Sequence, residues 1–170
     1  MIWLWGIGVF VVLFGLVAFR GAPYVPSQKK YVRQAFSELY PLSHKDTLVD
    51  VGSGDGIVLR VASKCGARAI GYEINPLLVL ISRFISRHDK NVEVKLVDFW
   101  LTQLPDRTTV VYAFAATPYI KKMIHKMQCE ANRLQRPLRY ISYGNVLAGL
   151  EADASVGAYR LYTFYPLQSS

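Results

Sequence analysis

The stretch Val49–Gly56 (VDVGSGDG) constrains this chain more than any other part of it. It closes a short apolar run, Thr47–Val51, and leads directly into IVLRVASK, whose apolar residues fall at helical spacing. A strand that turns through alternating glycines into a helix opens an α/β layer, and such layers meet ligands at the C-terminal ends of their strands. Gly52, Gly54 and Gly56 allow a tight turn and a close backbone approach to a ligand. The helix behind them offers unpaired N–H groups. The competing reading is a glycine-rich turn kept for geometry alone.

The rest of the chain continues the pattern. Apolar runs predict strands at Thr47–Val51, Ala67–Tyr72, Val92–Val97, Thr109–Ala115, Arg139–Tyr143 and Ala158–Tyr165. Helical spacing predicts helices over Gln28–Tyr40, Gly56–Lys64, Pro76–Arg87 and Tyr119–Leu134. Strands alternating with helices argue a parallel sheet with helices on both faces, of the Rossmann-like kind. At 170 residues the chain allows one domain of ordinary size, and a hydrophobic content of 52% excludes disorder. Two cysteines exclude a disulfide scaffold, and no Cys/His spacing suits a zinc site, so no metal is expected. Cys65 and Cys129 read as buried thiols, and His125 as a surface residue.

Glu73 stands 21 residues after Gly52, at the end of the second predicted strand, where a carboxylate can accept the hydroxyls of a ribose. The glycine spacing G-x-G-x-G departs from the dinucleotide fingerprint G-x-G-x-x-G, and Asp50 and Asp55 flank it. Two carboxylates are poor neighbours for a pyrophosphate and suit a cationic ligand such as S-adenosylmethionine, with its ammonium and sulfonium groups. A P-loop lysine is absent. Asp98 follows the third strand and is placed to reach an adenine amino group, with Phe99 nearby. Its other reading is a cap or a solvated loop carboxylate.

Ahead of this domain, Ile2–Phe19 (IWLWGIGVFVVLFGLVAF) runs for 18 residues without a charge. As a helix it would be ~27 Å long, close to the ~30 Å hydrocarbon core of a bilayer. Trp3 and Trp5 suit an interface, and Arg20, Lys29, Lys30 and Arg33 follow on the C-terminal side. The positive-inside rule then places the remainder in the cytoplasm, or in the matrix if the membrane is the mitochondrial inner one. The expected organisation is a transmembrane anchor over 2–19, a linker and N-terminal helix over 20–40, and a catalytic domain over 41–170. A cleaved signal peptide lacks its basic n-region here, and a buried core helix would rarely be so uniformly apolar. The net charge of +8 suits an anionic membrane surface. Without a zinc finger, an RNP-type aromatic motif or a basic block, nucleic acid is not expected as a partner.

Taken together, YVPS (Tyr24–Ser27), LVDVGSGDG (Leu48–Gly56), GYEINPLLV (Gly71–Val79) and the DFW segment (Asp98–Trp100), behind an apolar N-terminus, make the chain resemble the class I S-adenosylmethionine-dependent methyltransferases. More narrowly it is similar to the membrane-anchored protein-lysine methyltransferases that act on the ATP synthase c-ring protein and on adenine nucleotide translocase. The resemblance implies S-adenosyl-L-methionine as cofactor, held by Asp50, Gly52, Gly54, Asp55, Gly56, Glu73, Asn75, Asp98 and Phe99. It implies a lysine of a protein near a membrane surface as acceptor. Thr117-Pro118-Tyr119 resembles the Pro-Tyr turn with which amine methyltransferases orient nitrogen, although Pro118 equally suits the first turn of a helix. The chain departs from the family at Ile57, where Arg is usual, and at Ala113–Ile120, where a GVP-type turn is usual. Its short tail after Tyr143 suggests a trimmed final hairpin. A small-molecule or lipid methyltransferase and a non-catalytic membrane-anchored scaffold are the alternatives.

Overall fold

The computed structural model describes Trp3, Trp5 and residues 27–114 and 117–167. The apolar segment 2–19, apart from its two tryptophans, and most of the linker before Ser27 lie outside the described residues. Among the described residues no helix is long and apolar enough to cross a membrane.

In chain order the elements are helix α1 (Lys29–Gln34) with a π-helical turn (Ala35–Leu39), β1 (Thr47–Val51), α2 (Ile57–Lys64), β2 (Arg68–Glu73), α3 (Pro76–Ile85) and β3 (Val92–Leu96). They continue with β4 (Val110–Phe114), a 3-10 turn (Thr117–Tyr119), α4 (Ile120–Leu134), β5 (Leu138–Tyr143), β6 (Ala154–Val156) and β7 (Tyr159–Phe164). The seven strands form one sheet in the order β3-β2-β1-β4-β5-β7-β6. The chain reverses direction of travel across the sheet between β1 and β4, which opens a crevice at the C-terminal ends of those two strands.

β1 and β4 are central and apolar on both sides, so each side has its own core. Leu48, Val110, Tyr112 and Ile141 pack with Val32, Phe36, Leu59 and Val79 from the α1, α2 and α3 layer. Val49, Val111 and Tyr140 pack on the other face with Met123, Met127 and Ala131 of α4. Helices therefore cover both faces, as alternating elements require.

The expected parallel sheet is present, and an antiparallel hairpin extends it at one edge. β1 to β5 are parallel, but β7 runs antiparallel to β5 and β6 antiparallel to β7. A parallel return needs a crossover, usually a helix. Residues 144–158 contain none, so the chain comes back alongside β5. The final hairpin is present, with a three-residue β6 as its outer strand, and β6 escaped the sequence reading because so short a run has no period.

The helix expected over Gln28–Tyr40 is α-helical only to Gln34. Its last turn widens, with Tyr40 N–H bonded to Ala35 C=O at 2.9 Å. Pro41 follows and has no N–H to continue the ladder. α3 ends two residues before the expected Arg87, and Ala115, expected to close β4, lies outside the described residues. Of the two cysteines, Cys65 is only partly buried and Cys129 is exposed, because Cys129 lies off the inward stripe of α4.

Candidate cofactor and transfer site

The glycine turn leaves β1 and is tied to β2. Gly52 N–H and Ser53 N–H both donate to Tyr72 C=O, at 2.8 and 3.2 Å. Gly54 N–H donates to Glu73 Oε2 at 2.9 Å. The other oxygen of Glu73 accepts from Ile74 N–H at 2.9 Å and Asn75 N–H at 2.8 Å. Glu73 is thus a bracket between the glycine turn and the start of α3, and it is 7% exposed. Three donors on one buried carboxylate fix its orientation, as a hydroxyl-binding acceptor needs to be fixed.

Two glycines have visible reasons. Gly52 sits at φ +74°, and a Cβ there would meet nothing within 4 Å, so open space lies in front of the turn. Gly56 sits at φ +82° as the N-cap of α2, and a Cβ there would run into Ser82 Oγ of α3. The first leaves room for a ligand and the second lets α2 and α3 close together.

The acidic residues divide by environment. Asp50 is 2% exposed and lies in register with Gly71 on β2 and Tyr112 on β4. Burial, then the charges of Glu73 and Asp55, push its carboxyl well above the usual range. Asp55 is partly neutralised: Arg60 lies 3.4 Å from its Oδ2 and also donates to its backbone C=O. Its Oδ1 accepts from Ile57 N–H at 3.3 Å, at the start of α2. The bare pair of carboxylates read from the sequence is therefore one buried acid and one arginine-paired acid. Arg60 as a partner was not legible, since a contact five residues away depends on how the turn folds.

Asn75 caps α3, accepting from Leu77 N–H at 3.0 Å and Leu78 N–H at 3.4 Å, with Pro76 next in the first turn. Asp98 accepts from Trp100 N–H at 2.8 Å through Oδ1, so the loop after β3 is closed by that side chain. Phe99, expected beside a ligand, is 5% exposed and buried in the α4-side core. Its neighbour Trp100 is the more open aromatic. The Trp100 ring lies 5.9 Å from that of Tyr119, and Lys122 Nζ sits 4.3 Å above it. The structure thus joins two segments that the sequence reading kept apart, Asp98–Trp100 and Thr117–Tyr119. Pro118 and Tyr119 are exposed there, and both lie in the 3-10 turn that enters α4.

One further residue was missed. Tyr112 is buried in the middle of β4, where its hydroxyl faces Tyr159, Ser27 and Asp50, and burial drives its phenol far above the ordinary value. Ser27, the last residue of the YVPS string, and Asp50 both lie near this hydroxyl. Only the register of β1 and β4 brings this about. Among the described residues no group of three or more His, Cys, Asp or Glu side chains could hold a metal ion.

Strand order, glycine turn and bracketed Glu73 together define the fold of the class I S-adenosylmethionine-dependent methyltransferases. The chain is similar over most of its length to the crystal structure of an RNA methyltransferase from Salinibacter ruber in complex with S-adenosyl-L-homocysteine. The TM-score is 0.74 and the identity 25%, over 86% of this chain and 97% of that one. A geranyl diphosphate methyltransferase in complex with its methyl donor shares the fold at TM-score 0.56 and 18% identity, over 67% of this chain and 48% of that one.

In sequence, the chain is 32% identical over 111 residues to the ATP synthase c-subunit lysine N-methyltransferase of Xenopus laevis, covering 64% of this chain and 48% of that protein. It is 34% identical over 112 residues to adenine nucleotide translocase lysine N-methyltransferase of Mus musculus, again covering 64% and 48%. The chain therefore spans about half the length of the curated relatives it matches. No protein-family model matches it.

Proposed function

We propose that this chain is an S-adenosylmethionine-dependent methyltransferase whose acceptor is a lysine side chain of a protein at a membrane surface. The observation that carries the cofactor reading is Glu73, buried at the end of β2 and oriented by Gly54, Ile74 and Asn75. The open space before Gly52 fits the same group. When bound, S-adenosylmethionine supplies a methyl group made electrophilic by its sulfonium sulfur.

The residues of the chain take the following roles in this reading. Glu73 accepts the ribose hydroxyls. Asp98 serves the adenine side, and Asp50 the ammonium end. The backbone of Gly52, Gly54 and Gly56 lets the ligand lie close, with Asp55 and Asn75 holding the starts of α2 and α3. Phe99 supports the loop from below and Trp100 offers the face. Thr117, Pro118 and Tyr119 frame the acceptor.

An amine attacks a methyl group only as the free base, and a lysine has an ordinary pKa of about 10.4. Removing it from water, among Tyr119, Trp100 and backbone, lowers that value. No strong general base is then needed, which suits an amine better than a hydroxyl. The lysine acceptor is supported by the two named relatives. Residues 2–19 support a membrane location, since the eight residues Arg20–Ser27 reach at most ~28 Å when extended. A domain so tethered, facing cytoplasm or matrix, meets membrane-proximal lysines at high effective concentration.

One observation favours a second reading. The Salinibacter ruber structure is matched over nearly its whole length and is named an RNA methyltransferase, and this chain carries a net charge of +8. Incubating membranes and total RNA with methyl-labelled cofactor decides between the acceptors. The expected result is label in a membrane protein, recovered as methyllysine after hydrolysis. Label confined to RNA, lipid or a soluble metabolite overturns the lysine assignment.

A further inference from the structure

Helix α3 is inside out. Its buried positions are Val79 and Ser82, with Ser86 just beyond its end, and the two serine hydroxyls have no hydrogen-bond partner among the described residues. Its outward positions include Leu77, Leu80, Ile81 and Phe84, at the i, i+3, i+4, i+7 spacing of one stripe, while the exposed Arg83 beside them folds its guanidinium onto Val94 C=O of β3. Leu80 is 63% exposed and Phe84 67% exposed, and Ile74 and Ile85 flank the stripe at half exposure. A helix facing only water places its polar side outward, so this face fits an apolar neighbour.

The charges say which neighbour. α3 carries no acidic residue. Arg87 stacks its guanidinium 4.5 Å from the Phe84 ring, and His88 and Lys90 are exposed close behind. Asp89, the acid that follows α3 in the chain, accepts from Ser63 Oγ at 2.8 Å and from Asn91 N–H, so it is turned into the domain. A second copy of this chain would bring the same cationic end and a net charge of +8 against itself. The uncharged segment 2–19 would leave the cations without a complement. An anionic lipid surface satisfies both features, because arginine and lysine reach headgroups while the stripe enters the acyl boundary. Ten residues rise only ~15 Å, too short to span, so the helix lies in the plane of the interface.

We propose that the outer face of α3 is a second membrane contact, an in-plane helix that docks the folded domain on anionic lipid. This contact would set the tilt of the sheet over the bilayer. The inference stands on α3 alone and does not require residues 2–19 to insert, nor the transfer chemistry.

The test uses the full chain with Cys65 and Cys129 replaced by Ser, its fold checked by circular dichroism. Spin labels are placed at Leu80→Cys or, as a control on the exposed turn before β4, at Arg107→Cys. The protein is bound to vesicles of mixed phosphatidylcholine and phosphatidylglycerol and recovered by flotation. Accessibility to oxygen and to a water-soluble nickel complex is then read by power saturation. The oxygen-to-nickel ratio is expected to be severalfold higher at residue 80 than at 107. It is expected to fall to the control value with Phe84→Glu, and to drop in phosphatidylcholine alone. Equal ratios at 80 and 107 in floated protein overturn the inference and leave residues 2–19 as the sole anchor. Spin–spin broadening at residue 80 that disappears on diluting protein in lipid identifies a second copy as the occupant and overturns it too. A chain that does not float at all overturns both membrane contacts.

Discussion

Glu73→Gln is the substitution with the most to say about the site, because it is isosteric yet chemically wrong there. Glu73 accepts from backbone N–H groups on both oxygens: Gly54 on one, Ile74 and Asn75 on the other. A carboxamide has one acceptor oxygen. In its better orientation it keeps the two bonds to Ile74 and Asn75 and turns its NH2 toward the Gly54 N–H. A buried donor then faces another donor, at a cost of about 1–3 kcal/mol. The two retained bonds lose their charge assistance, about 1 kcal/mol each. Burial first, and then Glu73, push the Asp50 carboxyl upward, so loss of the Glu73 charge offsets part of this cost. The net is a loss of about 2–4 kcal/mol, or roughly 4–16 °C in melting temperature for a domain of this size. The assay is thermal unfolding of the full chain by near-ultraviolet circular dichroism, with and without S-adenosylmethionine, beside Glu73→Ala. A Gln variant that melts with the parent chain shows that the carboxylate does not bracket the turn. A stable Glu73→Ala variant with undiminished cofactor affinity also removes Glu73 from ribose binding, where about 1–3 kcal/mol is expected to be lost.

Asp50 yields a pH prediction of unusual sign. Its folded-state pKa lies above the unfolded value, so the native state holds the proton longer. Its contribution to stability is greatest below the unfolded pKa and declines as pH rises toward the folded one. Asp50→Asn is therefore expected to raise the melting temperature of the ligand-free protein at neutral pH and to flatten its pH profile. The same variant is expected to weaken S-adenosylmethionine binding in calorimetry. Greater pH-dependent loss of stability in the variant than in the parent sinks this reading. Gly56→Ala must adopt φ +82° and meet Ser82 Oγ, and is expected to cost about 2–4 kcal/mol in denaturant unfolding. Adding Ser82→Ala should restore part of that loss, and no rescue would mean that α2 and α3 do not meet there. Deleting residues 2–19 is expected to leave cofactor binding intact while methylation of a membrane target falls. Retention of the parent chain in the pellet after carbonate extraction checks the anchor, and release into the supernatant refutes it.

Much of the architecture is local chemistry and was legible along the chain. β1 and β4 are apolar at successive positions because both their faces are covered, and a period-free apolar run carries that message. The glycine turn, Glu73 at the end of β2 and Pro76 at the start of α3 are set by φ preferences and by the reach of a strand, which depend on near neighbours. The antiparallel β7, the three-residue β6 and the widened last turn of the N-terminal helix were not legible. They follow from which strand edge remained free and where Pro41 stopped the ladder.

The site divides in the same way. Residue types alone pointed to four carboxylates, Asp50 and Asp55 flanking the glycine turn and Glu73 and Asp98 at the next two strand ends. Which of them is bare, paired or raised in pKa depends on Arg60 folding back on Asp55 and on β-sheet register stacking Asp50 beside Gly71 and Tyr112. The same holds for Phe99 and Trp100, adjacent in sequence. A sequence does not say which of two neighbouring aromatics turns into the core, because that choice is made by the α4 side chains that close over Phe99. The apolar outer stripe of α3 was present in the sequence as a helical repeat, yet helical periodicity has no sign. Only packing, which put Val79 and Ser82 inward, decided that Leu80 and Phe84 face out.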